Sequence, residues 1–160
     1  MRHALSLLAF ATVLVTTMAS ASNYRDVTRA VTDDQMLQSA GVAPNDARIR
    51  TQCKAAVVDT DDAPEFFNCV YVQTDKSLNL FSVEDGFLMS ELQLSLPNID
   101  AVALQHTGRW NQIQLWSGHR VAVLTLQGDG FTDPKQNDAA YQWLIEHGVR
   151  QRDPVKWIGP

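Results

Sequence analysis

The sequence predicts a mainly β protein. Its expected core is a seven-stranded antiparallel meander that closes into a barrel and is capped by one C-terminal α-helix, with a short helix ahead of the first strand. Three observations predict this fold. From Arg48 onward, apolar and polar residues alternate with period two. Turn chemistry such as Glu84-Asp85-Gly86 and Ser117-Gly118-His119 separates the alternating runs. After the last run, Asp133-Pro134 opens a segment with helical spacing.

The chain begins differently. Met1-Arg2-His3 is a short basic start, Ala4 to Val15 is apolar, and Ala19-Ser20-Ala21 is a small-x-small cleavage site. Residues 1–21 therefore read as a secretory signal peptide. The apolar run is shorter than the ~20 residues a stable membrane anchor needs. The expectation is an exported chain, periplasmic or extracellular, starting at Ser22 and without a stable membrane anchor after cleavage. Residues 1–21 are set aside from the fold.

Residues 22–46 are polar and mixed and read as an N-terminal arm. Within it Thr32-Asp33-Asp34-Gln35 has the form of a capping box, and Gly41 follows at the spacing of a helix end. A short helix from Asp33 to Ala40 is expected there, with a mobile segment ahead of it. Residues 47–149 then form the barrel domain with its helix. The strand runs are Arg48–Val58, Phe66–Gln73, Leu78–Val83, Phe87–Leu96, Ile99–His106, Trp110–Trp116 and Arg120–Leu126. The clearest alternation sets Leu92, Leu94 and Leu96 against Gln93 and Ser95. In the closing helix Ala140, Trp143, Leu144 and His147 share a face, and Gly148 ends it. Residues 150–160 form a basic, aromatic tail.

Cys53 and Cys69 are the two cysteines. In an exported chain an even count suggests a bridge. Folding Arg48–Val58 back on Phe66–Gln73 about the turn at 59–65 brings the two cysteines opposite each other, to within a residue or two. Facing antiparallel residues stand about 4.5–5.5 Å apart at Cα, within a disulfide's span. Neither a Cys-x-x-Cys pair nor a thiolate-stabilising setting is visible, so the bridge is expected to be structural.

The formal net charge is −5, and loss of Arg2 with the signal makes the mature chain more acidic still. Nucleic acid and anionic lipid are polyanions and make poor partners for such a chain.

Seven successive strands ending in one amphipathic helix, from Arg48 to Gly148, resemble the pleckstrin-homology-like (PH-like) barrel. The stretch Ile99-Asp100-Ala101-Val102-Ala103-Leu104, followed by Trp110–Trp116, Val121–Leu126 and the helix, is similar to the second half of such domains. The resemblance implies a non-catalytic module that binds lipids, peptides or proteins. Phosphoinositide-binding members use basic residues around the first hairpin. Here that loop carries Asp59, Asp61, Asp62 and Glu65, which argues against phosphoinositide. A lipocalin-like or cystatin-like fold is the structural alternative.

The remaining motifs are thin. The acidic loop has several oxygens for a hard cation but lacks the glycine and ligand spacing of an EF-hand, and reads as a solvated turn. His106, His119 and His147 have no second His or Cys at metal-binding spacing; His106 and His119 border the same strand and could approach in space. No metal or other cofactor is expected. Ser117 and His119 share one hairpin turn, where Ser and Gly are ordinary, and no nucleophile motif is present. Gly128-Asp129-Gly130 lacks the residues of a phosphate loop and reads as a flexible link into the helix. The richest pattern is Trp110, Gln112, Gln114 and Trp116: on one strand these share a face, with Ile113 and Leu115 turned to the core. An exposed face of Trp and Gln suits a protein or peptide partner, with Trp157 as a second contact. The reading is thus an exported binding module for a protein, peptide or envelope component, with no catalytic residues; a secreted inhibitor or immunity-type protein and a small secreted hydrolase are the alternatives.

Overall fold

The computed structural model describes residues 24–59, 64–107 and 110–155. Eight antiparallel strands form one sheet: β1 (Ile49–Asp59), β2 (Phe67–Gln73), β3 (Ser77–Glu84), β4 (Phe87–Ser95), β5 (Ala101–Thr107), β6 (Trp110–Ser117), β7 (Arg120–Gly128) and β8 (Phe131–Thr132). Helices α1 (Tyr24–Thr32) and α2 (Asp34–Ser39) precede the strands, and α3 (Pro134–Glu146) follows them.

The sheet order is β4-β3-β2-β1-β7-β6-β5, with β8 beside β7. Strand β1 organises it. Its eleven residues pair with β2 from Ile49 to Ala55 and with β7 from Gln52 to Asp59. Strands β4 and β5 are neighbours in sequence but lie on opposite edges, joined by a 3₁₀ turn at Leu96–Asn98. The two short hairpin turns Asp85-Gly86 and Asp129-Gly130 have positive φ at both residues, as a type I′ turn requires. The second of these corrects the expected flexible link at 128–130: it is a hairpin, with Gly128 paired to Phe131.

The inward face of the curled sheet carries Tyr71, Leu78, Leu80, Ile113, Leu115, Leu124 and Leu126, closed by Ala140, Tyr141 and Leu144 of α3. Cys53 and Cys69 lie in this core, face each other in the β1–β2 register with Cα atoms 4.8 Å apart, and are disulfide-bonded. Helix α3 starts as the sequence predicts, with Asp133 accepting from Lys135 N and Gln136 N and Pro134 in the first turn. Its buried face is Asn137, Ala140, Tyr141 and Leu144; His147 is exposed at the C-cap and stacks on Trp143 at 3.9 Å.

Residues 24–40, expected as a mobile segment with one short helix, form two helices packed on the outside of the sheet. Val27, Ala30 and Leu37 bury against Val70 and Val72 of β2 and Phe81 and Val83 of β3. Burying a Val or Leu side chain of this kind is worth about 1.5–3 kcal/mol, so the second cluster gives the helices a firm seat. The cap of α2 is Asp33 rather than Thr32: its carboxylate accepts from Gln35 N and Met36 N, while Thr32 Oγ1 donates to Arg29 O. Arg50 of β1 ties both helices down, donating to Asp34 Oδ1 at 2.6 Å and to Ala30 O at 3.0 Å. Among the described residues, no helix is long and apolar enough to cross a membrane.

Candidate functional site

Strand β6 alternates as its sequence predicts. Ile113 and Leu115 are buried in the core, and Gln112, Gln114 and Trp116 stand on the outer face. That face is covered, however, which corrects the expectation of an open stripe. Gln112 and Gln114 are 1% and 0% exposed, and Trp116 is half-buried. The side chain of Trp110 and the whole of Trp157 lie outside the described residues.

Part of the cover is the segment after α3. Gly148 sits at φ 86°, its N–H donating to Ile145 O while Val149 N–H donates to Leu144 O. This pair of bonds is the Schellman ending, and buried Val149 supplies its apolar contact. The chain is thereby turned onto the free edge of β5. Val102 N donates to Arg150 O at 2.9 Å and Arg152 N to Val102 O at 3.0 Å, a short parallel pairing. The segment then crosses to β6. The Arg152 guanidinium lies 4.1 Å from the centre of the Trp116 ring. Val155 N donates to Gln114 Oε1 at 2.9 Å, and Gln114 Nε2 donates to Val155 O at 3.4 Å.

Gln114 is the hub of this face. Its amide also donates to Gln105 Oε1 at 2.9 Å and Gln112 Oε1 at 3.3 Å. A buried amide must find partners or cost about 1–3 kcal/mol, and here it finds them in neighbouring amides and in passing backbone. A side-chain amide presents the same donor and acceptor as a peptide unit, so Gln114 reads a chain laid across it as a strand would. Residues 150–155, expected as part of a tail, are thus a strap over β5 and β6. Reading single strands missed it; the signal was Gly148-Val149, a helix stop followed by an apolar residue.

The other candidates sit elsewhere. The β3–β4 and β6–β7 turns share one end of the barrel with the β1–β2 link, since Asp59 pairs with Arg120 and Val70 with Phe81. Exposed Glu65, Glu84 and Asp85 lie at that end; Asp61 and Asp62 lie outside the described residues. His106 and His119 are not brought together: they flank opposite ends of β6, about 20 Å apart at strand rise. Beside Ser117, the Asp100 carboxylate accepts the Gly118 N–H at 2.6 Å and so caps the turn. Among the described residues, no three His, Cys, Asp or Glu side chains are grouped to hold a metal ion.

A shallow polar cleft of about 360 Å³ lies at the opposite end, lined by Asn45, Asp46, Arg48, Thr74, Asp75 and Lys76. Arg48 meets Asp75 with two bonds, at 2.7 and 2.9 Å, and this hydrogen bonding is the main cause that holds the Asp75 carboxyl below the usual carboxylate range. The two charges neutralise each other, leaving little field for an anion.

No protein-family model matches the chain, and no curated protein matches it. Solved structures do. The apo activated truncation of Vav1 superposes with a TM-score of 0.53 at 13% identity, over 76% of this chain and 32% of that one. A structure defining the role of the PH and C1 domains of the Vav1 exchange factor gives 0.47 at 13%, with the same coverage. The Slm1 PH domain in complex with phosphoserine gives 0.38 at 14%, over 64% of this chain and 93% of that one. The chain spans about a third of the Vav1 chain it matches. The class is therefore defined: with its strand order and C-terminal helix, the chain has a PH-like fold.

Proposed function

We propose that the chain is an exported, non-catalytic binding module. It engages a protein or peptide partner through the outer face of β5 and β6, with Trp110, Gln112, Gln114 and Trp116 as the contact stripe and Trp157 as a second contact. The observation that carries this reading is Gln114. It is a fully buried amide on an outer sheet face, already bonded to the N–H and C=O of a chain laid over it. Such a face takes extended polypeptide.

Export is supported by the signal-like residues 1–21 and by the Cys53–Cys69 bridge, which suits an oxidising compartment. The acidic end of the barrel disfavours phosphoinositide, because Glu65, Glu84 and Asp85 stand at the end formed by the first hairpin. A second reading, a secreted inhibitor, has its own observation: Phe87 and Met89 on edge strand β4 are 65% and 47% exposed, and a projecting apolar hairpin can plug a partner's cleft.

The test is capture of a stoichiometric partner from envelope extract by wild-type protein and by Trp110→Ala, Trp116→Ala and Met89→Ser variants. Loss with the tryptophan variants and retention with Met89→Ser supports the β5–β6 face. The opposite pattern supports the inhibitor reading. Mass spectrometry of the exported product giving an N-terminus at Ser22 checks the signal; an intact N-terminus in the cytoplasmic fraction contradicts it.

A further inference from the structure

We infer that the β5–β6 face is a groove for one extended peptide segment, that the partner segment carries an arginine three residues ahead of the residue whose backbone Gln114 holds, and that residues 150–155 of this chain are its resident occupant. This inference rests on the binding reading above and names the chemistry of the partner.

Each contact of the strap is one that a foreign chain can reproduce. Val102 on the edge of β5 gives and takes a backbone bond on either side of Gln151, which fixes a parallel, extended course. Gln114 reads the backbone of one residue, Val155, without regard to its side chain. Trp116 takes a guanidinium over its ring, and the weakly hydrated, flat Arg152 is suited to that stacking. Specificity therefore comes from the spacing between the cation on Trp116 and the residue on Gln114, which in the strap is Arg152-Asp153-Pro154-Val155. Pro154 fixes the chain in an extended course just before the Gln114 contact.

The strap is also built to leave. Residues 150–154 are exposed and Val155 is 38% exposed, so little apolar surface holds the segment down. Segments held by a few solvent-accessible polar contacts open at low cost. Tethering keeps the strap at an effective concentration on the order of millimolar. A partner peptide therefore competes with a resident copy of its own pattern, and loosening the strap exposes the groove.

The probe is a fluorescein-labelled synthetic peptide of residues 149–155, added to the mature chain and followed by anisotropy. Wild-type protein binds it weakly because the strap competes. Arg152→Glu loosens the strap while the peptide keeps its arginine, and this variant binds at least about tenfold more tightly than wild type. Adding Trp116→Ala to Arg152→Glu, or replacing the peptide's own arginine by glutamate, removes that gain. The peptide-side change involves no altered protein, so misfolding of a variant does not cloud it. Equal binding by wild type and Arg152→Glu, or equal binding of the arginine and glutamate peptides, overturns the inference. A strap-exchanged dimer in size-exclusion chromatography that dissolves on Arg152→Glu also overturns it, by making a second copy the occupant. If the peptide fails to bind while Trp116→Ala still loses the captured envelope partner, the groove chemistry is wrong and the binding face stands. If Trp116→Ala keeps that partner, the face itself is wrong.

Discussion

Asn137 is the side chain whose removal should damage the fold most for its size. It is fully buried on α3. Its Oδ1 accepts the Leu126 N–H at 3.0 Å, and its Nδ2 donates to Leu126 O at 3.2 Å and Asp133 O at 2.8 Å. The amide thus continues the β7 ladder in place of a strand and fixes the helix on the barrel. In Asn137→Ala, Leu126 O keeps the Asp133 N–H at 2.9 Å, but the buried Leu126 N–H loses this acceptor. An orphaned buried donor costs about 1–3 kcal/mol, and the small cavity left by the amide adds about 1 kcal/mol. The expected loss is about 2–4 kcal/mol, a fall in Tm of roughly 5–15 °C. Asn137→Asp sharpens the test. It keeps the acceptor but sets a desolvated carboxylate against the carbonyls of Leu126 and Asp133, which raises that group's pKa in the folded state. The penalty is therefore present at neutral pH and relieved as pH falls through the raised value, where the protonated acid donates again. Urea unfolding followed by far-UV circular dichroism at pH 7 and at pH 5 measures both. An Asn137→Ala variant within about 0.5 kcal/mol of wild type would refute the clamp.

Three further outcomes follow from particular contacts. The Cys53–Cys69 bridge closes a separation of 16 residues, so Cys53→Ala/Cys69→Ala should lose about 3 kcal/mol through chain entropy, measured by denaturant unfolding; thiol titration of unreduced, unfolded protein should find no free sulfhydryl. Arg50→Ala removes the charged bonds to Asp34 and Ala30 O and should cost about 1–3 kcal/mol. Its mark is local: proteolysis and hydrogen exchange quicken within residues 24–46 while the strands stay protected. Tyr71 is buried, donates to Gln73 Oε1 at 2.5 Å, and burial pushes its phenol well above the ordinary tyrosine range. The folded state then holds that proton more tightly than the unfolded chain, so stability falls as pH rises past the unfolded value of about 10. Absorbance at 295 nm should show Tyr71 ionising only with unfolding, and Tyr71→Phe should flatten the alkaline limb.

The strands were legible because period two and Asp-Gly turns are local signals, and the Cys53–Cys69 pairing followed from folding one hairpin. Period two assigns faces, not partners, so nothing in Phe87–Leu96 or Ile99–His106 said that β4 and β5 end on opposite edges. The N-terminal helices were half visible. Val70-Tyr71-Val72 and Phe81-Ser82-Val83 place apolar residues on the outer faces of β2 and β3, and a strand apolar on both faces asks for a second cover. The candidate site was legible as a stripe and illegible as a covered one. The strap contact comes from Val155, 41 residues beyond Gln114, and no periodicity links two such positions. Burial of two glutamines on an outward face is a polar cost that only their later partners explain.

The central claim is that the partner meets the outer face of β5 and β6. Site-specific photocrosslinking in the producing cell tests it most directly, with the reactive residue placed in turn at Gln105 on that face, at Met89 on edge strand β4, and at Lys76 by the polar cleft. A single discrete adduct from Gln105, absent from Met89 and Lys76, is the predicted result. An adduct from Met89 or Lys76 with none from Gln105 would contradict it.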